Sequence, residues 1–356
     1  MIPLPARPDH PAPWQVELAN ALTDPAELLA ALALPAPDPA ALAHLRAAAR
    51  KFALRVPRAY VALMRPGDPD DPLLRQVLPQ AGELVEVPGF VADPVGDLAV
   101  LGDAGVLHKY RGRRLLITTG ACAVHCRYCF RREFPYAEAN AAAGGWRPVL
   151  ETLREDPEAE EVILSGGDPL ALVDGKLARL AAELATLPQL RRLRLHTRTP
   201  VVLPARIDAA LLDWLGAFPR PVVMVLHANH AREFGPALGE ACQRLRAAGV
   251  TLLNQAVLLR GVNDSISAQA DLAEAGFAAG VLPYYLHQLD PVRGAAHFAV
   301  DDASAMALHA GLRERLPGYL VPRLVREVPG AAAKTPVLDS ALLQALPPAR
   351  ELTLPP

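Results

Sequence analysis

Cys122, Cys126 and Cys129 fall within the eight residues CAVHCRYC, while the rest of the 356-residue chain holds a single further cysteine, Cys242. A thiolate is both a nucleophile and a metal ligand, so three on one short stretch point to metal or catalytic chemistry. A structural zinc site takes four ligands. The nearby candidate for a fourth, His125, lies inside the first spacer and would have to fold back. Iron–sulfur clusters are usually held by four cysteines. Three thiolates on a four-iron cluster leave one iron free to bind something else, which suits catalysis better than electron carriage. A non-catalytic zinc or iron–sulfur module is the alternative from a different class. Cys242 sits in the helical pattern LGEACQRLRAAG and reads as a buried core thiol.

Lysine is the other scarce residue. Only Lys51, Lys109, Lys176 and Lys334 occur among 36 basic residues, the remainder being arginine. In so arginine-rich a chain each lysine raises the question of an amine that forms a Schiff base, with ordinary surface charge as the plainer reading.

The patterning indicates which elements must hold these residues. Residues 1–100 are rich in proline and alanine, and helical patterns such as DPAELLAALAL alternate with turn-rich pieces such as RPGDPDDP. They predict a helical, loop-rich N-terminal region with little visible chemistry. From about residue 101 to 320, short apolar runs alternate with helical patterns: LLITTG, EVILSGG, LRLHTRT, VVMVLHA, TLLNQAVLL and VLPYYLHQ. Strands alternating with helices imply βαβ units and a parallel sheet, here six units forming an open, partial barrel. Each run ends in a polar loop, and in parallel architectures chemistry collects at that rim. Residues 321–356 read as a short C-terminal closing segment.

A formal net charge of −2 gives no electrostatic case for nucleic acid or a membrane surface. The opening MIPLPARPDHPAP lacks the apolar stretch of a signal peptide, and no apolar run of about 18 residues follows. A cytoplasmic location is expected, where clustered cysteines are metal ligands or catalytic thiols rather than disulfides.

CAVHCRYC after one strand and SGGDP after the next resemble the radical S-adenosylmethionine superfamily. The resemblance implies an α/β fold, a partial (β/α)6 barrel, and a 4Fe–4S cluster on Cys122, Cys126 and Cys129 whose open iron chelates S-adenosylmethionine. It puts Gly166, Gly167 and Asp168 at that cofactor's amino group, with His227 and Gln255 nearby. Longer stretches (LHKYRGRRLLI, RTPVVLPARI, NQAVLLRGVND and EVPGAAAKTP) make nearly the whole chain similar to the lysine 2,3-aminomutase family. Within it the likeness is to the short bacterial branch that makes β-lysine for modifying elongation factor P. No cysteine follows Cys242 in this sequence, so no counterpart of the cysteine-bearing, zinc-binding extension of the long fermentation type is expected.

By that resemblance Lys334, in PGAAAK, carries pyridoxal 5′-phosphate, with Lys109 and Tyr110 at its phosphate. Arg131 holds the substrate carboxylate, and Asp290 and Glu327 hold the distal ammonium, while the neighbouring Arg132 is structural. Lysine at 109 replaces a frequent arginine, and glutamate at 327 replaces a frequent aspartate. The implied reaction starts with one electron, from a flavodoxin- or ferredoxin-type donor, that cleaves S-adenosylmethionine to a 5′-deoxyadenosyl radical. The radical takes hydrogen from the β-carbon of free L-lysine, and the α-nitrogen migrates to give (R)-β-lysine. A separate ligase would attach the product to elongation factor P. An aminomutase serving catabolism or a secondary metabolite is the alternative within enzymes.

Overall fold

Seven parallel strands carry the fold, and the two faces of each strand have different chemistry. The computed structural model describes residues 2, 11–102, 104–139 and 146–337. The strands are β1 (Val106–Leu107), β2 (Arg113–Thr119), β3 (Glu161–Gly166), β4 (Arg192–Thr197), β5 (Val222–Leu226), β6 (Val250–Val257), β7 (Leu282–His287), β8 (Arg323–Arg326) and β9 (Thr335–Pro336). They form one open sheet in sequence order, β2 to β8 parallel, with β1 and β9 pairing antiparallel at the two ends.

Along each strand alternate residues point to opposite faces. Val162 and Leu164, Leu193 and Leu195, Met224 and Leu226, and Leu252 and Ala256 join one buried apolar cluster. Fully burying such a side chain contributes about 1.5–3 kcal/mol. The helices α6 (Arg147–Arg154), α7 (Asp174–Leu184), α9 (Ala209–Gly216), α10 (Pro236–Ala247), α11 (Ile266–Ala278) and α12 (Asp302–Arg315) connect successive parallel strands and bring their apolar stripes to that cluster. Cys242 is among the buried residues of α10, as its pattern predicts. The residues between these (Leu115, Ile163 and Ser165, Arg194 and His196, Gln255 and Val257, Tyr285 and His287) face a cavity. A parallel sheet with this much polarity on one face has a cavity to serve rather than a second apolar layer.

The six βα units are those expected. The seventh parallel strand, β8, was read from sequence as part of the closing segment. It has four residues, of which only Leu324 and Val325 are buried, too few for a period to register. Its register with β7, Tyr285 opposite Arg323 and His287 opposite Val325, carries the sheet past residue 320. The closing segment beyond residue 337 lies outside the described residues. None of the described helices is long and apolar enough to cross a membrane.

The N-terminal region supplies α1 (Pro13–Ala19), α2 (Pro25–Ala31), α3 (Pro39–Lys51), α4 (Arg58–Val61) and α5 (Pro72–Arg75), with α8 (Thr199–Val202) beside them after β4. Trp14, Leu28, Val56, Tyr60 and Leu73 form a second apolar cluster that also takes in Ala123, Val124, Val202 and Leu203. The cysteine loop is thus packed against the N-terminal region.

Candidate active site

The cysteine loop leaves β2 through a bulge. Ile117 pairs with Ser165 but Thr119 with Gly166, and Thr118 donates its hydroxyl to the Ser165 carbonyl at 2.7 Å. Bulges of this kind re-aim a chain at a strand end. Gly166 has φ +117°, and a Cβ there would lie 2.6 Å from the Thr119 oxygen. One on Gly167 would lie 2.5 Å from the Ala121 oxygen. Both positions need glycine so that the two loops can touch backbone to backbone. Asp168 ties the junction to β4, accepting from Thr197 Oγ1 at 2.7 Å and from the Leu170, Arg198 and Thr199 amides at 2.8–3.0 Å.

Residues 52–83 grip the loop from the other side. His125 N donates to Arg55 O at 3.1 Å and Arg127 N to Gln76 O at 2.9 Å. The fully buried Arg127 guanidinium meets both Glu83 oxygens at 2.8 and 2.5 Å, and Arg132 reaches the same carboxylate at 2.7 Å. Arg132 is therefore structural, as read from the sequence. His125 Nδ1 lies 2.9 Å from Ala53 O, which ties the ring to the N-terminal region.

Cys122, Cys126 and Cys129 are unpaired thiols on the cavity wall. Burial first, then the neighbouring thiolates and carboxylates, pushes Cys122 well above the usual thiol range and Cys129 up to about 11. A metal would have to displace protons from these thiols on binding, because only thiolates ligate.

Across the same cavity runs a chain of alternating charge. Lys334 Nζ lies 2.6 Å from Glu327, Lys109 lies 3.5 Å from Glu327 and 2.7 Å from Asp97, and Asp97 receives Arg131 at 2.7 Å. Tyr110 donates its hydroxyl to Glu327 at 2.6 Å. Burial alone would raise the Glu327 carboxyl, but Lys334, Tyr110 and Lys109 hold it below the usual range. Asp290 differs. It has no side-chain partner among the described residues, and burial pushes its carboxyl up to about 7 against the pull of Lys334.

All fourteen site residues expected from the sequence line this one cavity of about 380 Å³. Among the described residues, the buried His227 Nε2 and Gln255 Oε1 have no hydrogen-bond partner, and neither do His196 Nε2 and His287 Nε2. Burial, with Arg198 and Lys334, pushes His227 down to about 4, so its ring is neutral and able to accept or donate one hydrogen bond. Sequence reasoning missed Asp97, Arg198, His196 and His287. Asp97 lies in the region read as having little chemistry, in a proline- and glycine-rich DPVGD stretch. Arg198 lies in HTRTP, a rim loop whose polarity was the available signal.

Residues 116–268 match the radical SAM superfamily. The L-lysine 2,3-aminomutase of Escherichia coli strain K12 is 48% identical over 331 residues, 93% of this chain and 96% of that one. The enzyme of the same name from Haemophilus influenzae is 44% identical over 90% of this chain and 94% of its own, and that from Clostridium subterminale 36% over 80% and 68%. A radical SAM methyltransferase structure from Sphaerobacter thermophilus aligns at TM-score 0.45 and 21% identity over 62% of this chain and 68% of its own, too distant to argue from. With identity this high across nearly the whole of both chains, and with the cysteine loop inside the matched core, the chain belongs to the lysine 2,3-aminomutase family of radical S-adenosylmethionine enzymes.

Proposed function

We propose that this protein converts free L-lysine to (R)-β-lysine by moving the α-amino group to the β-carbon, and that the product serves elongation factor P through a separate ligase. One observation carries the reading: the three thiols, the amine of Lys334 and the unmatched carboxylate of Asp290 share a single cavity.

The residues fit the groups this chemistry needs. Three half-buried thiols on one loop, their ionisation disfavoured without positive charge nearby, suit a 4Fe–4S cluster with one iron left open. The unpartnered His227 Nε2 and Gln255 Oε1 are available to S-adenosylmethionine. Lys334 offers the amine for pyridoxal phosphate, and Lys109, Tyr110 and Arg113 line the wall beside it. When bound, these groups supply one-electron reduction, a hydrogen-abstracting radical and a carbonyl for the migrating nitrogen.

The chain's own residues do the positioning. Arg131 is fixed by Asp97 and by Ser165 Oγ at 3.2 Å, and its Nη2 has no hydrogen bond among the described residues, leaving it for the substrate carboxylate. Asp290 at the other end takes the ε-ammonium. Glu327 Oε2 accepts from Lys334 and comes free for the same ammonium once Lys334 is otherwise engaged. A carboxylate at that end disfavours a glutamate substrate through like charge. Asp168, with its oxygens committed to backbone and Thr197, orders the loop, and Gly166 and Gly167 let it approach the cysteines. A lysine within a polypeptide has its α-nitrogen locked in an amide, so the substrate is the free amino acid.

The test is direct. After anaerobic reconstitution with iron, sulfide and pyridoxal phosphate, borohydride should attach the phosphate cofactor to the peptide containing Lys334. The unreduced holoprotein with S-adenosylmethionine and reductant should turn free L-lysine into β-lysine and leave lysyl peptides and glutamate unchanged. Label on Lys109 or Lys176, or loaded protein inert toward lysine, would contradict the reading.

A further inference from the structure

Among the described residues, Arg198 is the one buried cation whose side chain touches a cysteine of the loop. It follows β4, and its Nη1 lies 3.2 Å from Cys126 Sγ. Its Nη2 is shared by Glu233 Oε1 at 2.8 Å, Gln76 Oε1 at 2.8 Å and Tyr60 OH at 3.1 Å. Glu233 is fixed in turn, with Oε2 receiving the Asn229 and His230 amides at 2.5 and 2.8 Å and Oε1 receiving the Tyr60 hydroxyl at 2.9 Å. Arg198's own amide is held by Asp168 at 2.8 Å. The guanidinium is anchored from the N-terminal region and from the loop after β5, and the backbone that carries it from the glycine loop.

A purely structural ion pair would present Glu233 with two guanidinium nitrogens. Here only Nη2 faces the carboxylate, and the only partner of Nη1 among the described residues is the sulfur. Neither Cys122 nor Cys129 accepts a side-chain N–H among those residues. Hydrogen bonds to ligating sulfurs and the local net charge set iron–sulfur potentials, and one-electron reduction adds a negative charge that a nearby cation stabilises.

We infer that Arg198 is a positioning residue for the cluster: its N–H to Cys126 and its charge raise the cluster's reduction potential, and Glu233 limits how far. The inference rests on the cluster assigned above to Cys122, Cys126 and Cys129. It concerns electron uptake alone; the cluster gains one electron from an external reductant and no bond forms or breaks.

The experiment is an anaerobic redox titration of reconstituted protein without S-adenosylmethionine, followed by the electron paramagnetic resonance of the reduced cluster and normalised to bound iron. At the wild-type midpoint, Arg198→Gln should lower the reduced-to-oxidised ratio about tenfold, which is about 59 mV for one electron. Arg198→Lys should recover most of the shift, and Glu233→Gln should move it in the opposite direction. A structural role would change iron content in every variant and leave the potential of the retained clusters alone. An unshifted potential in iron-replete Arg198→Gln overturns the inference. If that variant retains no cluster, Glu233→Gln decides: an upward shift supports it, and no shift or a downward one overturns it. Wild-type protein that takes up no four-iron cluster would overturn the cluster assignment and this inference with it, an outcome distinct from a loaded cluster of unchanged potential.

Discussion

Asp290 faces the cavity with its charge unmatched, whereas Glu327 is held by three donors. If both meet the ε-ammonium of bound lysine, each makes a charge-assisted hydrogen bond worth about 1.5–3 kcal/mol. Asp290→Asn and Glu327→Gln should then each lower kcat/KM for lysine by about 10- to 100-fold, with cluster content unchanged. Steady-state kinetics on the loaded variants checks this, and wild-type rates in either would remove that carboxylate from substrate recognition. Asp290 also makes a prediction that needs no cofactor. A carboxyl whose folded pKa is raised to about 7 contributes stability below its unfolded value, and that contribution is lost as pH rises through about 7. Thermal unfolding of the cofactor-free chain should show Asp290→Asn gaining on wild type between about pH 4 and pH 7 and levelling off above, whereas a constant difference would mean the carboxyl titrates normally. Residue type and spacing singled out the cysteines, and scarcity drew attention to the lysines, whereas Lys334 in particular, Arg131 and both acids were singled out through the family resemblance. The pairing of Glu327 with Lys334, Lys109 and Tyr110 was not legible in the sequence, because it depends on β8 and the segment after it folding back onto the start of β2.

The element with most to lose is the clamp on the cysteine loop. Glu83 is 4% exposed and neutralises both Arg127 and Arg132. Glu83→Gln keeps the shape and leaves two buried cations without a counter-charge, so it should cost about 3–5 kcal/mol in denaturant unfolding and lower the iron bound per chain. Full iron content with unchanged stability would show that the clamp is dispensable. Periodicity revealed the six strands and their helices because each has five or more residues with apolar alternation or runs. The short β8 escaped, and so did the role of residues 52–83. Their contacts to the loop are backbone carbonyls, one glutamate and the ring of Phe52, which leave no periodic trace.

Across the whole molecule, six βα units and a seventh strand bring residues from position 97 to position 334 to one rim, so that a radical-generating end and an amine-holding end share a cavity. The polar face of the sheet follows from this, and so does the contrast between the apolar outer face and the inner row of histidines, arginines and tyrosines. The alternation of strand and helix made the sheet and its rim legible. The sequence did not reveal that the N-terminal region supplies Asp97 to the rim and backs Arg198 with Gln76 and Tyr60, because these residues sit in loops and short helices among prolines. The claim that the cavity moves an amino group within one lysine molecule has a direct measurement. Reconstituted protein is incubated anaerobically with S-adenosylmethionine, reductant and L-lysine labelled with nitrogen-15 at the α-amino group, and the product is read by nuclear magnetic resonance. The account predicts β-lysine with the label on carbon 3. Absence of β-lysine from fully loaded protein, or β-lysine whose nitrogen has exchanged with unlabelled ammonia, would contradict it.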